Sequence, residues 1–85
     1  MDDEDKMKAV SEVLEQITED NSVPRNIRRA ANEAIEWLRN RNHTPGVRAA
    51  SAVNILDEIS EDPNMPVHTR TMIWNVVSEL EVIQD

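Results

Sequence analysis

Apolar residues recur at intervals of three and four along most of the chain, a spacing that places side chains on one face of a helix. Leu14 and Ile17 belong to the first such stripe, and Leu38, Leu56 and Leu80 belong to the three that follow. The pattern predicts an all-α fold of four helices, over residues 5–19, 24–41, 45–60 and 66–84. Alanines cluster on the inner faces of the second and third helices, which predicts that these two pack most closely.

Three of the four prolines mark helix starts. Proline fixes φ near −65° and has no N–H to donate, so it suits the first turn of a helix. Thr44 and Pro45 are expected to be an N-cap and the first helical residue, and Pro24 and Pro66 to open the second and fourth helices in the same way. The apolar residues before these two prolines are expected to enter the core; they are Val23 and Met65.

An internal repeat is the most informative feature of the sequence. A shift of 42 residues aligns residues 13–38 with 55–80, and seven of the 26 aligned pairs are identical. This period falls within the range of about 40–47 residues of HEAT-type and armadillo-type helix pairs. Two amphipathic hairpins can resemble each other by chance, but a shared Glu-Asp pair, Pro and Arg favour duplication. We therefore expect one domain, 1–85, of two repeated antiparallel helical hairpins, arranged as a HEAT-like pair or a four-helix bundle.

Composition excludes several classes of function. The chain has no Cys and a single Gly, which excludes a disulfide scaffold, a thiolate zinc site, a cysteine nucleophile and the common phosphate-binding loops. His43 and His68 lack the spacing of a helical metal pair, and no Ser, Thr or Lys has a visible partner for nucleophilic catalysis. No apolar run approaches the roughly 20 residues of a membrane helix. We expect a cytoplasmic protein that is not an enzyme, with no cofactor, metal or membrane association.

Charge is distributed unevenly along the chain, whose formal net charge is −8. Residues 1–20 and 49–85 each carry −6, whereas residues 21–48 contain six arginines and two glutamates and carry +4. Arg recognises phosphate and carboxylate in a bidentate manner, so the arginine-rich region 25–48 is a candidate nucleic-acid contact, led by Arg25, Arg28 and Arg29. The net negative charge and the lack of interleaved aromatic residues disfavour nucleic acid. They favour the alternative, in which the arginines pair with acidic segments of the chain or of an acidic protein.

Two Asp–Arg pairs recur in the repeat. Asp20 and Asp62 lie in the loops before the second and fourth helices, and Arg28 and Arg70 lie in the second turn of those helices. A carboxylate beside a guanidinium can form an anion clamp or a proton donor. The short reach back over the turn favours a structural role, so we expect two loop-bracing ion pairs worth about 0–1 kcal/mol if exposed.

Two apolar residues fall outside the stripe of the fourth helix. Val67 and Trp74 are seven residues apart, on a line that points away from the core. Trp is enriched at protein interfaces, and a domain of this size buries little surface alone. We expect a homodimer with Trp74 at its centre and Trp37 as the second choice. The alternative is that Trp74 lies under its own hairpin or the N-terminal segment.

Over nearly its whole length, the chain resembles a small, uncharacterised archaeal protein family. The resemblance rests on residues 17–20, 23–24, 27–31, 45–50 and 54–59. It implies an archaeal cytosolic protein with an all-helical fold, and it brings no activity and no catalytic residue. The leading hypothesis is therefore a non-enzymatic protein–protein interaction module or assembly subunit with an unknown partner. The alternative is a nucleic-acid-associated protein that uses the region 25–48.

Overall fold

The computed structural model describes residues 2–85 and is all-α, as predicted. The helices are α1 (Asp3–Thr18), α2 (Arg25–Arg39), α3 (Pro45–Ile59) and α4 (Val67–Leu80). α1 begins two residues before the predicted start because Asp2 is its N-cap and accepts a hydrogen bond from the Asp5 N–H at 2.8 Å. None of the helices in residues 2–85 has the length and apolar character needed to cross a lipid bilayer.

The helices form a closed ring of contacts. α1 packs on α2, α2 on α3 and α3 on α4, and α4 returns to α1. α2 and α4 lie diagonally opposite each other and share no contact. This is a four-helix arrangement of two hairpins, α1–α2 and α3–α4, which confirms the predicted fold class. The duplication behind the 42-residue repeat stays a prediction.

The core lies between the four helices and is built from the predicted apolar stripes. Leu14, Leu38, Leu56 and Leu80 are each at most 2% exposed. α2 makes its most extensive contact with α3, in agreement with the predicted close packing of these helices. Small side chains let two helix axes approach closely, and the alanines of both inner faces are buried: Ala30, Ala31, Ala34, Ala49 and Ala52.

The three loops between helices share one turn. In each turn, the side-chain oxygen of the first residue accepts a hydrogen bond from the N–H two residues later, over 2.8 to 3.0 Å. The main-chain carbonyl of that first residue accepts from the N–H three residues later. The first residues are Asp20, Asn40 and Asp62. The turn at Asn40 ends α2 at Arg39, two residues before the predicted end.

The residue that follows each turn is the N-cap of the next helix. Thr44 is the N-cap of α3, where its hydroxyl accepts from the Val47 N–H at 3.3 Å, and Pro45 is the first helical residue, as predicted. Pro24 and Pro66 are themselves the N-caps of α2 and α4, with extended ψ angles of 150° and 147°. The prediction that they are the first helical residues is wrong by one position, because each of them follows its turn directly. The apolar residues before them are buried as predicted: Val23 and Met65.

The chain after α4 folds back over the start of α3. The predicted helix end at residue 84 is wrong: the helix ends at Leu80, and Ile83 reaches the core from the non-helical segment that follows. The Asp85 carboxylate accepts hydrogen bonds from the Thr44 hydroxyl at 2.7 Å and the Gly46 N–H at 2.8 Å. These donors hold the pKa of Asp85 below its ordinary value. A Cβ on residue 46 would lie 2.7 Å from the carboxyl carbon of Asp85, so glycine is what lets this carboxylate cap α3.

The alanine contact gives the first testable prediction. Ala31→Leu and Ala52→Leu each place a larger side chain between α2 and α3, where the native side chains are at most 1% exposed. Overpacking is expected to lower the free energy of unfolding by about 1–3 kcal/mol, measured by urea denaturation. Ala9→Leu is the matched control, because Ala9 is exposed on α1. If all three variants are as stable as the wild type, the contact between α2 and α3 can accommodate a leucine side chain without strain.

Candidate interaction surfaces

The outer side of α4 carries an uncharged surface, which we call the α4 face: Val67, Thr71, Trp74, Asn75 and Ser78. Four of these residues follow one another at intervals of four, three and four, so they lie along one line of the helix. Val67 is 81% exposed and Trp74 is 57% exposed, although both are apolar. Since the Trp74 ring is this exposed, its own hairpin does not cover it. Both residues therefore lie outside the core, on the side that the sequence indicates.

Four titratable residues adjoin the α4 face: Arg70, His68 and, near its C-terminal end, the exposed Glu79 and Glu81. Arg70 is half-buried and donates hydrogen bonds to the carbonyls of Ser60 and Asp62. His68 is exposed at the edge of the face, with its Nε2 atom 3.4 Å from a carboxylate oxygen of Asp20. α3, the other helix of this hairpin, exposes further uncharged residues in its first three turns: Val47, Ala50 and Asn54. The outside of the α3–α4 hairpin thus offers uncharged surface in a strongly acidic chain, interrupted by Glu81, which lines a groove with Ala50 and Asn54.

Trp37, the second candidate, makes an intramolecular contact. It is half-buried near the end of α2, and its ring lies 5.0 Å from the His43 ring, with an angle of 45° between the two planes. A shallow groove beside it is lined by Glu33, Glu36 and Asn40. Trp37 therefore presents less free aromatic surface than Trp74, and its surroundings are acidic.

The structure divides the arginine-rich region 25–48 into two parts. The arginines between residues 39 and 48 form ion pairs with carboxylates of α1. Arg39 pairs with Glu15, Arg41 lies 3.5 Å from an oxygen of Glu4, and Arg48 also pairs with Glu4. For these three arginines, the observed partners are acidic residues of the chain itself.

Arg48 joins three helices at one end of the bundle. Its side chain is 3% exposed and its guanidinium makes a two-pronged contact with the Glu4 carboxylate, at 2.7 and 3.2 Å. Its Nε also donates to the carbonyl of Leu38 at 3.1 Å, near the end of α2 where carbonyls lack helical partners. Sequence reasoning did not separate Arg48 from the other arginines. The signal was present, because Arg48 lies four residues before Ala52 and eight before Leu56, on the buried stripe of α3.

The predicted Asp20–Arg28 and Asp62–Arg70 ion pairs are not formed. Arg28 Nε instead donates to the Val23 carbonyl at 3.0 Å, just as Arg70 donates to loop carbonyls. Both arginines brace their loops, but the acceptor is the main chain, because the turn before each helix directs its carbonyls toward the guanidinium. The carboxylates are used within their own turns instead.

Asp20 and Asp62 also reach across to each other's hairpin. The Asn26 side-chain amide donates to Asp62 at 2.7 Å, and His68 faces Asp20. A shift of 42 residues exchanges these two contacts, which is the reciprocity that a twofold relation between hairpins produces. Donors in the turns, from Ser22 and Asn64, are the main cause that keeps the pKa of each Asp below its ordinary value. In residues 2–85 no three His, Asp or Glu side chains cluster to hold a metal ion.

The remaining arginines lie along a shallow groove at the start of α2, which we call the α2 groove: Thr18, Arg25, Arg28, Arg29 and Asn32. Arg25 and Arg29 are exposed and lie one helical turn apart. Within residues 2–85, neither of them forms an ion pair. The structure therefore leaves two of the three predicted arginines available to an outside group, while Arg28 is partly engaged by its loop.

Comparisons with known proteins agree with the resemblance seen in the sequence. The sequence model of the uncharacterised protein family UPF0147 matches residues 1–83. A UPF0147 protein from Sulfurisphaera tokodaii is 57% identical over 84 residues, which cover 99% of this chain and 94% of that protein. The relatives are mostly archaeal, as the resemblance implies.

Two crystal structures share the fold. That of a protein of unknown function, MMP1188, superposes with a TM-score of 0.92 at 57% identity, over 95% of this chain and 92% of that chain. That of a UPF0147 protein from Thermoplasma acidophilum gives a TM-score of 0.88 at 32% identity, over 96% of both chains. The four-helix fold is therefore common to relatives of quite different sequence.

Arg48 gives the second prediction. Arg48→Met keeps the apolar stem but removes the donors to the Leu38 carbonyl and to Glu4. We expect the free energy of unfolding to fall by about 1–3 kcal/mol, because a buried acceptor is left without a donor. Arg41→Met is the control: its side chain is 78% exposed, so its pair with Glu4 should contribute about 0–1 kcal/mol. If the urea denaturation midpoints of the two variants coincide, the buried Arg48 stabilises the fold no more than the exposed Arg41 does, which would contradict this prediction.

Glu4 gives a prediction about pH. The Arg48 guanidinium holds the pKa of Glu4 below its ordinary value of 4.5, against the opposing effect of desolvation. A lowered folded-state pKa stabilises the protein above the unfolded-state pKa, and this stabilisation disappears as the pH falls through the folded-state value. Glu4→Gln should therefore be less stable than the wild type at about pH 7, and the difference should shrink as the pH falls below 4.5 through the lowered folded-state pKa.

The control for this experiment is Glu12→Gln, which removes the same charge from an exposed position of α1. Its melting temperature should follow that of the wild type at every pH. A gap between Glu4→Gln and the wild type that stays constant down to the lowest pH would mean that the Glu4 charge contributes nothing to stability.

Proposed function

Since the chain belongs to UPF0147, an uncharacterised protein family, we propose its function from the surface that it exposes: it is a non-enzymatic interaction module that assembles through the α4 face. The observation that carries this proposal is Trp74, which leaves 57% of its surface exposed among the uncharged residues of the α4 face. Trp and its neighbours can remove a large apolar area from water when a partner covers them.

The partner that this surface fits best is a second copy of the chain. Each copy carries a formal −8, so two copies repel each other wherever their carboxylates meet. The α4 face itself has no carboxylate, and the exposed Glu79 and Glu81 flank only its C-terminal end, so repulsion between two copies that meet there is confined to that end. An uncharged face also needs no opposite charge on its partner, so it is complementary to itself about a twofold axis. We therefore propose a homodimer with Trp74 at its centre, and with Val67 of each copy toward the edge.

Other parts of the hypothesis rest on the sequence. Family membership brings no assigned activity, and the proposal is of a protein that binds rather than catalyses. The HEAT-like relation of the hairpins and the cytoplasmic location stay predictions. Nucleic-acid binding through residues 25–48 is the weaker alternative, because Arg39, Arg41 and Arg48 already have carboxylate partners in the chain.

Trp74→Ala tests the dimer directly. The wild type is expected to sediment as a dimer at tens of micromolar, and Trp74→Ala as a monomer, since the substitution removes the central contact. Trp74→Ala should remain folded and unfold cooperatively on heating, because Trp74 lies outside the core. Gln16→Ala, at an exposed position of α1, is the control and should sediment like the wild type.

A spectroscopic measurement identifies the interface itself. Trp37→Phe leaves Trp74 as the only indole in the chain. Its fluorescence maximum should move to shorter wavelength as the concentration rises through the dimerisation range, because association removes the ring from water. Two results would contradict the proposal. One is that the wild type and Trp74→Ala are both monomers at tens of micromolar. The other is a dimer whose Trp74 emission does not change with concentration.

A further inference from the structure

The α2 groove and the α4 face occupy corresponding places in the two hairpins. The 42-residue shift aligns Arg25 with Val67, Arg29 with Thr71 and Asn32 with Trp74. The same shift aligns Arg28 with Arg70, and these two arginines both donate to loop carbonyls. The two aligned arginines thus hold their loops, while the three aligned pairs that differ here are exposed. One outer surface is uncharged and the other is basic, on helices that lie diagonally opposite.

Arg25, the first helical residue of α2, is unfavourably placed for the stability of its own helix. The start of a helix carries the positive end of its dipole, where acidic side chains stabilise and basic ones destabilise. α1 follows this rule, with Asp3, Glu4 and Asp5 in its first turn. The first turn of α2 contains Arg25 and no acidic residue. Arg25 does not recover this energy through an ion pair within residues 2–85, and Arg29, one turn further on, has no ion pair there either. An anionic group from outside the chain would recover it.

We propose that the α2 groove is a second binding surface, which takes a short acidic segment of a protein partner. The exposed guanidinium groups of Arg25 and Arg29 would each hold a carboxylate through two parallel N–H···O hydrogen bonds. The Asn32 amide lines the same groove and can donate to the segment between those carboxylates, whereas the Thr18 hydroxyl, which already donates to the Glu15 carbonyl at 2.7 Å, can accept from a main-chain N–H of that segment. Local charge complementarity selects this partner: three arginines meet in one groove, although the chain as a whole carries a net charge of −8.

The size of the groove favours a short peptide over a nucleic acid. The rise of about 1.5 Å per helical residue places Arg25 and Asn32 only about 10 Å apart along the axis. Exposed acids bound the groove, with Glu33 and Glu36 further along α2 and Glu19 in the preceding loop. A nucleic-acid backbone would gain contacts to few phosphates here before it met these carboxylates. An acidic peptide can place its two or three carboxylates on the arginines and end there.

This proposal is independent of the dimer. The groove lies on α2 and the proposed dimer contact lies on α4, and the two helices share no contact. A monomer would bind the acidic segment equally well. The two proposals therefore fail separately: sedimentation tests the first and peptide binding tests the second.

The test is fluorescence anisotropy with a labelled peptide in which glutamates alternate with alanines, at an ionic strength of about 0.05 M. We expect Arg25→Gln with Arg29→Gln in one chain to weaken binding about tenfold or more. The matched control is Arg39→Gln with Arg41→Gln, which changes the net charge equally but removes arginines whose observed partners are Glu15 and Glu4. The control should bind the peptide within about twofold of the wild type, because it leaves the groove intact.

Three outcomes would overturn the proposal. The first is that the wild type does not bind the peptide. The second is that both double variants lose affinity equally, which would show a response to net charge without a groove. The third is that an unlabelled oligouridine displaces the peptide at lower concentration than an unlabelled copy of the peptide does. That result would assign the groove to nucleic acid instead.

Discussion

The buried guanidinium of Arg48 is the contact on which the arrangement of one end of the bundle depends. Apolar burial is non-directional, so it leaves the helices more freedom to shift along one another than directed hydrogen bonds do. Arg48 removes this freedom because its donors have fixed directions and reach the end of α2 and the first turn of α1 at the same time. Its partner Glu4 is partly open to solvent, which reduces the desolvation that a fully buried ion pair would incur. The Asp85 carboxylate completes this end by capping the start of α3.

The opposite end is held by main-chain geometry and the reciprocal contacts of two loops. Asp20 and Asp62 each shape their own turn and then reach the other hairpin, through His68 and Asn26 respectively. Polar contacts of limited individual strength thus fix both ends of a 34 Å bundle, and the apolar core between them supplies most of the stability. The outer sides of α2 and α4 take no part in these polar contacts at the ends, and the two candidate interaction surfaces lie there.

Periodicity and proline placement predict most of this fold because they act locally. Helical spacing identifies all four helices, and the apolar residue before a proline enters the core at both Val23 and Met65. The errors arise where a distant group or the geometry of a turn decides the outcome. Ile83 continues the stripe of α4, yet it reaches the core from outside the helix because Asp85 is drawn to α3. Arg28 has an acidic neighbour in sequence, but the nearest well-directed acceptor is a carbonyl. For the candidate surfaces, the sequence indicates that Trp74 and Val67 lie outside the core. It does not distinguish the arginines that form ion pairs with Glu4 and Glu15 from Arg25 and Arg29, which form none in residues 2–85.

The diagonal placement of α2 and α4 has a consequence for avidity. In a twofold dimer joined through α4, each α2 groove would face outward on the far side of its own copy. The two grooves would then be separated by roughly twice the 19 Å width of one bundle. A single groove of this size can hold only a weak ligand. A partner with two acidic segments joined by a linker that spans this distance would bind the second groove at a high effective concentration, and its overall affinity would exceed that of either segment alone. Such a dimer would therefore select between partners by the spacing of their acidic segments as much as by their sequence.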